Sequence, residues 1–248
     1  MSDREIARIL MAKSPQPWTA SAILDHGFGD IRVWPGPLAC LRLSSFCLVE
    51  GQIEDHGGAN VLQACAAMLD PDAILVSSDT ALIGRLQTLC EYPFTAVRRH
   101  SFVWTQQDDH DANRFPLPGD GRFQIVAIDT GHAKRIASLP WSDDVFSSYR
   151  DIADFLARGF GFCVTRDDAI VAVCLSFASS RHGVEIEVDT DPAFQGRGLA
   201  KAVSWRFIQE AAARGLTALW DASNPASIAI ARALGFTETA SYEAVVVG

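Results

Sequence analysis

The chain has 248 residues, 48% of them hydrophobic, and a formal net charge of −9. That length and apolar share suit one large domain or two small ones, and the acidic balance, with Arg98-Arg99 as the nearest approach to a basic run, excludes the dense Lys/Arg surface of a nucleic-acid binder. No stretch nears the ~20 apolar residues of a membrane helix, the start MSDREIARIL has no signal-peptide run, and the six cysteines form neither a CxxC pair nor a zinc pattern. A reduced cytoplasmic protein is expected, with no metal, no nucleic acid and no membrane partner.

Residues 1–13 read as an amphipathic helix with Ile6, Ile9 and Leu10 on one side. A second helix, QPWTASAILDHG, ends at Gly27. IRVWPG and PLACLRLSSFCLVEG read as two strands broken by Pro35-Gly36-Pro37. ANVLQACAAMLD is helical, AILVSS a short buried strand, DTALIGRLQTLCE a helix with Asp79 as N-cap, and FTAVRRHSFVWT a strand. The polar, Pro- and Gly-bearing stretch 105–122 reads as a linker, which predicts an accessory α/β domain over 1–118 and a second domain over 119–248. His110 among Asp108, Asp109 and Asp111 has the residue types of a metal site, but acids on a polar loop are ordinarily just solvated, and no metal is expected.

In the second half RFQIVAID is a strand, and SDDVFSSYRDIADFLARG a helix capped by Ser142. FGFCVTRDDAIVAVCLSFASS reads as a hairpin turning at Arg166-Asp167-Asp168-Ala169. GVEIEVDT alternates acid and apolar side chains, as a half-exposed strand does, so Glu185, Glu187 and Asp189 share one face. A helix carrying Leu199, Val203 and Phe207 on one stripe follows and ends near Gly215. Then come the strand LTALWDA, the helix NPASIAIARALGF between Pro225 and Gly235, and the strand TASYEAVVV.

The stretch Gln195-Gly196-Arg197-Gly198, between a strand and a helix, is the most informative. A helix N-terminus offers unpaired N–H donors and partial positive charge, and glycines leave room for an anion to approach them. A nucleotide-triphosphate loop needs Lys-Ser/Thr after the last glycine, where Leu199-Ala200 stands; a dinucleotide loop needs a third glycine where Lys201 stands. Gln195 to Ala200 instead fits Q/R-x-x-G-x-G/A, and NPASIAIARALGF resembles N-x-x-A-x-x-x-Y-x-x-x-G-F through Asn224, Gly235 and Phe236. The chain thereby resembles the GNAT N-acetyltransferase superfamily. GFCVTRDDAIVAVCLSFA, EIEVDTDPAFQGRGLA, AILVSSDTALIGRL and VRRHSFVW narrow the resemblance to a bacterial two-domain subfamily that includes the zwittermicin-resistance type.

The resemblance implies an α/β (α+β) chain. Its C-terminal half would hold a mixed, mostly antiparallel sheet flanked by helices. Its smaller N-terminal α/β domain reads as a degenerate copy, in which no glycine loop is visible. It implies acetyl-CoA as co-substrate, contacted by Val188, Thr190, Gln195, Gly196, Arg197, Gly198, Leu199, Ala200, Asn224 and Ser227, and no metal. The acceptor would be a primary amine of a small molecule or peptide, near Trp141, Trp220 and Asp221; Asp143 and Asp144 read better as a favourable helix start. The protein would be a monomer or homodimer. Such an amine, with a pKa near ~10.4, costs about 4–5 kcal/mol to deprotonate at neutral pH, and a positioned carboxylate removes the proton. Glu185 best matches the resemblance, with Glu187 and Asp189 in reserve, although acids alternating with Ile186 and Val188 also suit the wet face of a sheet. Where the motif places its tyrosine, this chain has Ala231, leaving Tyr242 or Ser227 as candidate acids for the leaving thiolate. That substitution keeps open a non-catalytic acyl-CoA-binding module, and an interaction protein without ligand is the third reading.

Overall fold

The computed structural model describes residues 1–52, 58–105, 111, 114–119, 121–142 and 144–248. In chain order the elements begin with α1 (Asp3–Leu10), α2 (Pro17–His26), β1 (Asp30–Trp34), β2 (Leu38–Leu43) and β3 (Phe46–Gly51). Then follow α3 (Ala59–Ala66), β4 (Ile74–Val76), α4 (Thr80–Leu89) and β5 (Phe94–Val103). The second half holds β6 (Phe123–Ala127), α5 (Thr130–Ile136), α6 (Ile152–Arg158), β7 (Gly161–Arg166), β8 (Ala169–Ser179) and β9 (Gly183–Thr190). It ends with α7 (Leu199–Ala213), β10 (Thr217–Ala222), α8 (Pro225–Leu234) and β11 (Thr237–Val247). The chain divides into two compact units, Met1–Arg99 with Ala240–Gly248, and His100–Thr239.

In the first unit β1, β2 and β3 form an antiparallel meander, β4 lies parallel to β3 across α3, and the end of β11 pairs antiparallel with β4. Leu38, Cys40, Cys47, Leu62, Cys65, Leu75, Leu86 and Val247 form its core. Serine and glutamate at positions 2 and 5 close a capping box on α1, Asp79 caps α4 through the Ala81 and Leu82 N–H groups, and Gly27 ends α2 in the left-handed region. The run PLACLRLSSFCLVEG is not one strand but the hairpin β2–β3, turning at Ser44 with φ 54°. Ile9 is 63% exposed, so the stripe expected on α1 is not intact; Ala7 is the buried residue of that helix.

In the second unit β6, β7, β8 and β9 form an antiparallel meander, β10 runs parallel to β9 across α7, and the end of β5 pairs antiparallel with β10. The first unit follows the same spatial order with one meander strand fewer: β1, β2 and β3, then parallel β4 and antiparallel β11. The hairpin β7–β8 turns on Asp167 and Asp168, both at positive φ, as a two-residue hairpin loop requires. Leu199, Val203, Trp205 and Phe207 of α7 pack on Ile186, Val184, Cys174 and Phe162.

Three sequence expectations are corrected here. The units divide at 99/100, not 118/119, because Val103 to His100 pair with Leu219 to Ala222 in the second sheet, while Val245 and Val246 pair with Leu75 and Ile74 in the first. The expected linker is partly core: Phe115 stacks edge-on against Trp205, the Arg114 guanidinium lies over both rings, and the Trp205 Nε1–H donates to the Asp111 carbonyl. His110, Asp108 and Asp109 lie outside the described residues. Finally, the helix expected from Ser142 begins only at Ile152, capped by Asp151. Ser142 is buried, and its hydroxyl donates to the Ile136 carbonyl at the end of α5, a helix the sequence reading lacked.

Gly161 starts β7 against β8. A Cβ there would stand 2.6 Å from Leu175 Cβ and 2.9 Å from the Cys174 carbonyl oxygen. Gly161→Ala is therefore expected to cost about 2 kcal/mol through overpacking, read as a lower urea midpoint. An unchanged midpoint would mean that β7 shifts freely on β8.

Candidate active site

The site grows from the end of one strand pair. The parallel ladder between β9 and β10 runs from Gly183↔Thr217 to Glu185↔Leu219. Beyond it β9 continues to Thr190 and β10 to Ala222, with no further ladder pairs between them among the described residues. The other edge of β9 stays paired with β8 as far as Thr190↔Ala172. Strand groups along the unpaired edge can therefore serve an extended ligand, as an open sheet edge serves an added strand.

The glycine stretch begins where β9 ends. Asp191 caps a short helical turn over Pro192–Phe194 by accepting the Ala193 N–H, and the Gln195 side chain donates to the Thr190 carbonyl at 3.3 Å. Gly196 and Gly198 have φ of 74° and 82°, and nothing lies within 4 Å of where their Cβ atoms would be. Gly198 is also the N-cap of α7, with no side chain bonded to the helix end. The first N–H groups of a 15-residue helix thus open onto a space bordered by two bare glycines. Leu199 is buried beneath them, and Ala200 is half-buried. Arg197 and Arg166 both lie over the Phe194 ring, at 5.3 and 5.7 Å from its centroid, and Arg166 also lies over Phe123. The sequence reading missed Arg166, Phe194 and Phe123, because only the packing of β7 against this loop brings them together. The buried Thr190 hydroxyl oxygen has no hydrogen-bond partner among the described residues. The donors, the space and the orphaned hydroxyl fit a phosphorylated ligand whose extended arm runs along β9.

Val184, Ile186 and Val188 of β9 face the α7 core, so Glu185, Glu187 and Asp189 occupy the opposite face. That face is only partly exposed: Glu185 is 8% exposed, and Glu187 and Asp189 are half-buried. Burial pushes the Glu187 carboxyl up to about 8, and the charges of Asp189, Asp144 and Glu185 push the same way, against the Val188 backbone N–H. Asp144 is exposed in the turns after α5, Trp141 beside it is half-buried, and Asp143 lies outside the described residues.

On the other flank, Asn224 caps α8 by accepting the Ser227 N–H at 2.8 Å. Trp220, one residue past the last β9–β10 pair, is buried edge-on against Phe236, and its Nε1–H donates to Ser227 Oγ at 2.9 Å. Asp221 accepts from Ser101 Oγ. Ala231, one turn beyond Ser227, is fully buried. Tyr242 is buried in the first unit, where its hydroxyl accepts a hydrogen bond from the Gln16 side-chain amide. In the first unit Glu50 lies two residues past the last β3–β4 pair, as Glu187 does past the last β9–β10 pair. Burial raises its carboxyl, but it is fully engaged by the Ser78 N–H and hydroxyl, at 2.7 and 2.6 Å.

The family model of GNAT acetyltransferase matches residues 12–245, and the chain belongs to that family. A solved GCN5-related N-acetyltransferase-like protein from Streptococcus suis 89/1591 superposes with a TM-score of 0.79 at 26% identity, over 98% of both chains. The chain is 32% identical over 96 residues to the uncharacterized N-acetyltransferase YdfB of Bacillus subtilis (strain 168), a match covering 38% of this chain and 37% of that protein. It is 30% identical over 108 residues to the [ribosomal protein bS18]-alanine N-acetyltransferase of Escherichia coli (strain K12), covering 42% of this chain and 70% of that one. No helix among the described residues is long and apolar enough to cross a membrane, and none of their His, Cys, Asp and Glu side chains group as a metal site would need.

Proposed function

We propose that this protein is an acetyl-CoA-dependent N-acetyltransferase acting on a primary amine of a small molecule or peptide, by direct transfer in a ternary complex. The observation that carries the proposal is the open glycine loop at the uncapped start of α7, reached by the strand that bears Glu187, whose carboxyl burial pushes up to about 8. A base in that range is matched to an ammonium donor near neutral pH. In this reading Gly196, Arg197, Gly198, Leu199 and Ala200 cradle the diphosphate, Val188 and Thr190 line the pantetheine arm, and the α7 N-terminus supplies N–H donors. Glu187 takes the ammonium proton, with Glu185 and Asp189 keeping the field around it negative. A backbone N–H of β9 meets the oxyanion. The bS18-directed relative acts on an alanine amine, in keeping with an amine acceptor here. Cys163 and Cys174 are poor nucleophiles, since burial pushes the Cys163 thiol up to about 12 and raises Cys174 further, so an acyl-enzyme is not expected. Cytoplasmic location is part of the same proposal.

Ala231 at the motif tyrosine favours a second reading, a module that binds acyl-CoA without transferring from it. Calorimetric titration with acetyl-CoA and CoA, joined to a thiol-release assay over a panel of amines, separates the two. Binding with release supports the enzyme, binding without release on any amine supports the module, and no binding removes both.

A further inference from the structure

We infer that Arg166, at the end of β7, holds the phosphate that CoA carries on the 3′ carbon of its ribose, and so makes this protein prefer CoA to 3′-dephospho-CoA. The inference rests on the acetyl-CoA reading above and goes beyond it, by giving a role to a residue outside the glycine loop.

Arg166 reaches that loop across two rings. Its cross-strand partner is Phe123 on β6, which belongs to the core beneath α7, so the guanidinium lies on the α7 face of the sheet. It stands 5.1 Å from the centre of Phe123 and 5.7 Å from that of Phe194, and the two rings meet edge-on at 6.3 Å. Arg197, from within the loop, lies 5.3 Å from the centre of the same Phe194 ring. Two positive charges from separate elements are thus brought to one ring. The ring attracts each cation, but the cations repel one another. The Asp167 carboxylate stands 3.9 Å from Arg166 Nε, yet it is already bound by Arg122, through Nε at 2.9 Å and through Nη2. Asp191, at the start of the turn, spends its carboxylate on the Ala193 N–H. The whole chain carries a net −9, so this pairing of arginines is local and not part of a basic surface. The Arg166 side chain is 24% exposed, which leaves it within reach of a ligand.

The chemistry of CoA says which anion fits. Its ribose bears the diphosphate on one carbon and a phosphate monoester on the 3′ carbon, so the two anions lie one sugar apart. The diphosphate is served by the open α7 N-terminus between the bare glycines, with Arg197 beside it. Arg166 enters from the β7–β8 side of the loop, one ring away from Arg197, and meets the second anion. A guanidinium held over two rings gives up little further freedom when the ligand arrives. It also presents a planar fork of N–H donors that matches a phosphate, which a lysine does not. No bond is made or broken here; the contribution is to binding.

The test is calorimetric titration of the full chain with CoA and with 3′-dephospho-CoA, for wild type, Arg166→Gln and Arg166→Lys. The ratio of the two affinities is the readout, because a variant that merely disturbs the loop or the fold weakens both ligands alike. Wild type is expected to bind CoA about 10–100-fold more tightly than the dephospho form, the usual worth of a charge-assisted hydrogen bond. Arg166→Gln is expected to bring that ratio close to one. Arg166→Lys keeps the charge without the fork and retains a smaller preference. Equal wild-type affinity for the two ligands overturns the inference and leaves CoA binding standing. An unchanged ratio in Arg166→Gln also overturns it, since Arg166 would then serve the diphosphate or only hold the loop through Phe194. A wild-type chain that binds neither ligand removes the acetyl-CoA reading as well.

Discussion

Glu187→Gln is expected to lower kcat/KM for the amine by about 10²–10³-fold while leaving acetyl-CoA affinity unchanged. The cause is the raised carboxyl, held near 8 by burial and by three neighbouring carboxylates. At pH 7 roughly a tenth of it is ionised, so wild-type kcat/KM climbs with unit slope and levels near pH 8. The glutamine enzyme lacks that break and follows only the free amine, toward ~10.4 for an alkylamine. Stability moves the other way. Below the ordinary carboxylate value of 4.5 the group is protonated in the folded and unfolded chain alike, and nothing is lost. Above it the unfolded chain releases the proton while the folded chain keeps it until about 8, so wild-type stability falls across that window and levels beyond it. At pH 7 the loss approaches about 3 kcal/mol, and Glu187→Gln removes it. A variant that melts higher yet turns over far more slowly is the combined signature of strain kept for chemistry. A variant as active as wild type would return the base role to Glu185 or Asp189.

The loop and the helices around it were legible in the sequence because their signals are local. Gly196 and Gly198 are needed for backbone reasons that any neighbouring strand and helix would impose, and Asn224, Pro225 and Gly235 punctuate α8 as their chemistry dictates. The raised carboxyl of Glu187 was not legible. Alternation assigns Glu185 and Glu187 to one face but is silent on what covers that face, and the depth of Glu187 and its neighbour Asp144 come from a different stretch of chain. The turn at Ser44-Ser45 was hidden because no glycine or proline marks it and apolar residues flank it on both sides. Helix α5 was hidden by its seven-residue length and the glycine in its first turn. The unit boundary was hidden for a topological reason. Strand β5 begins in the first unit yet its last residues, His100 to Val103, pair with β10, and the end of β11 follows the second unit yet pairs with β4. A composition shift reports solvent exposure, and the polar stretch 105–122 is partly held by Trp205 all the same.

The first unit holds a carboxylate in the same register but in a different setting. Glu50 occupies the register of Glu187 past the end of its own parallel ladder, but Ser78 bridges the two strand ends and fills the carboxylate with an N–H and a hydroxyl. A carboxylate so bonded is a fastener. At the corresponding place in the second unit no ladder pair joins β9 to β10 beyond Glu185↔Leu219 among the described residues.

Gly198→Glu is expected to abolish acetyl-CoA binding, a loss of more than about a hundredfold, and comparison with Gly198→Ala shows why. At φ 82° any side chain is strained, although no atom stands in the way of a Cβ. Alanine bears only that strain, about 1–2 kcal/mol, and should weaken binding about tenfold while lowering the melting temperature. Glutamate bears the same strain but places a carboxylate at the uncapped start of α7, where it satisfies the N–H groups and the helix dipole that the diphosphate would otherwise use. The glutamate variant is therefore expected to be no less stable than the alanine variant and yet to bind far more weakly. Calorimetry with acetyl-CoA and a thermal melt on the three proteins read both quantities. If the two variants bind equally, the helix end is not where the charge of the ligand is held; if both bind as wild type, the loop is not the cradle at all, and the ligand must be sought along β9 alone.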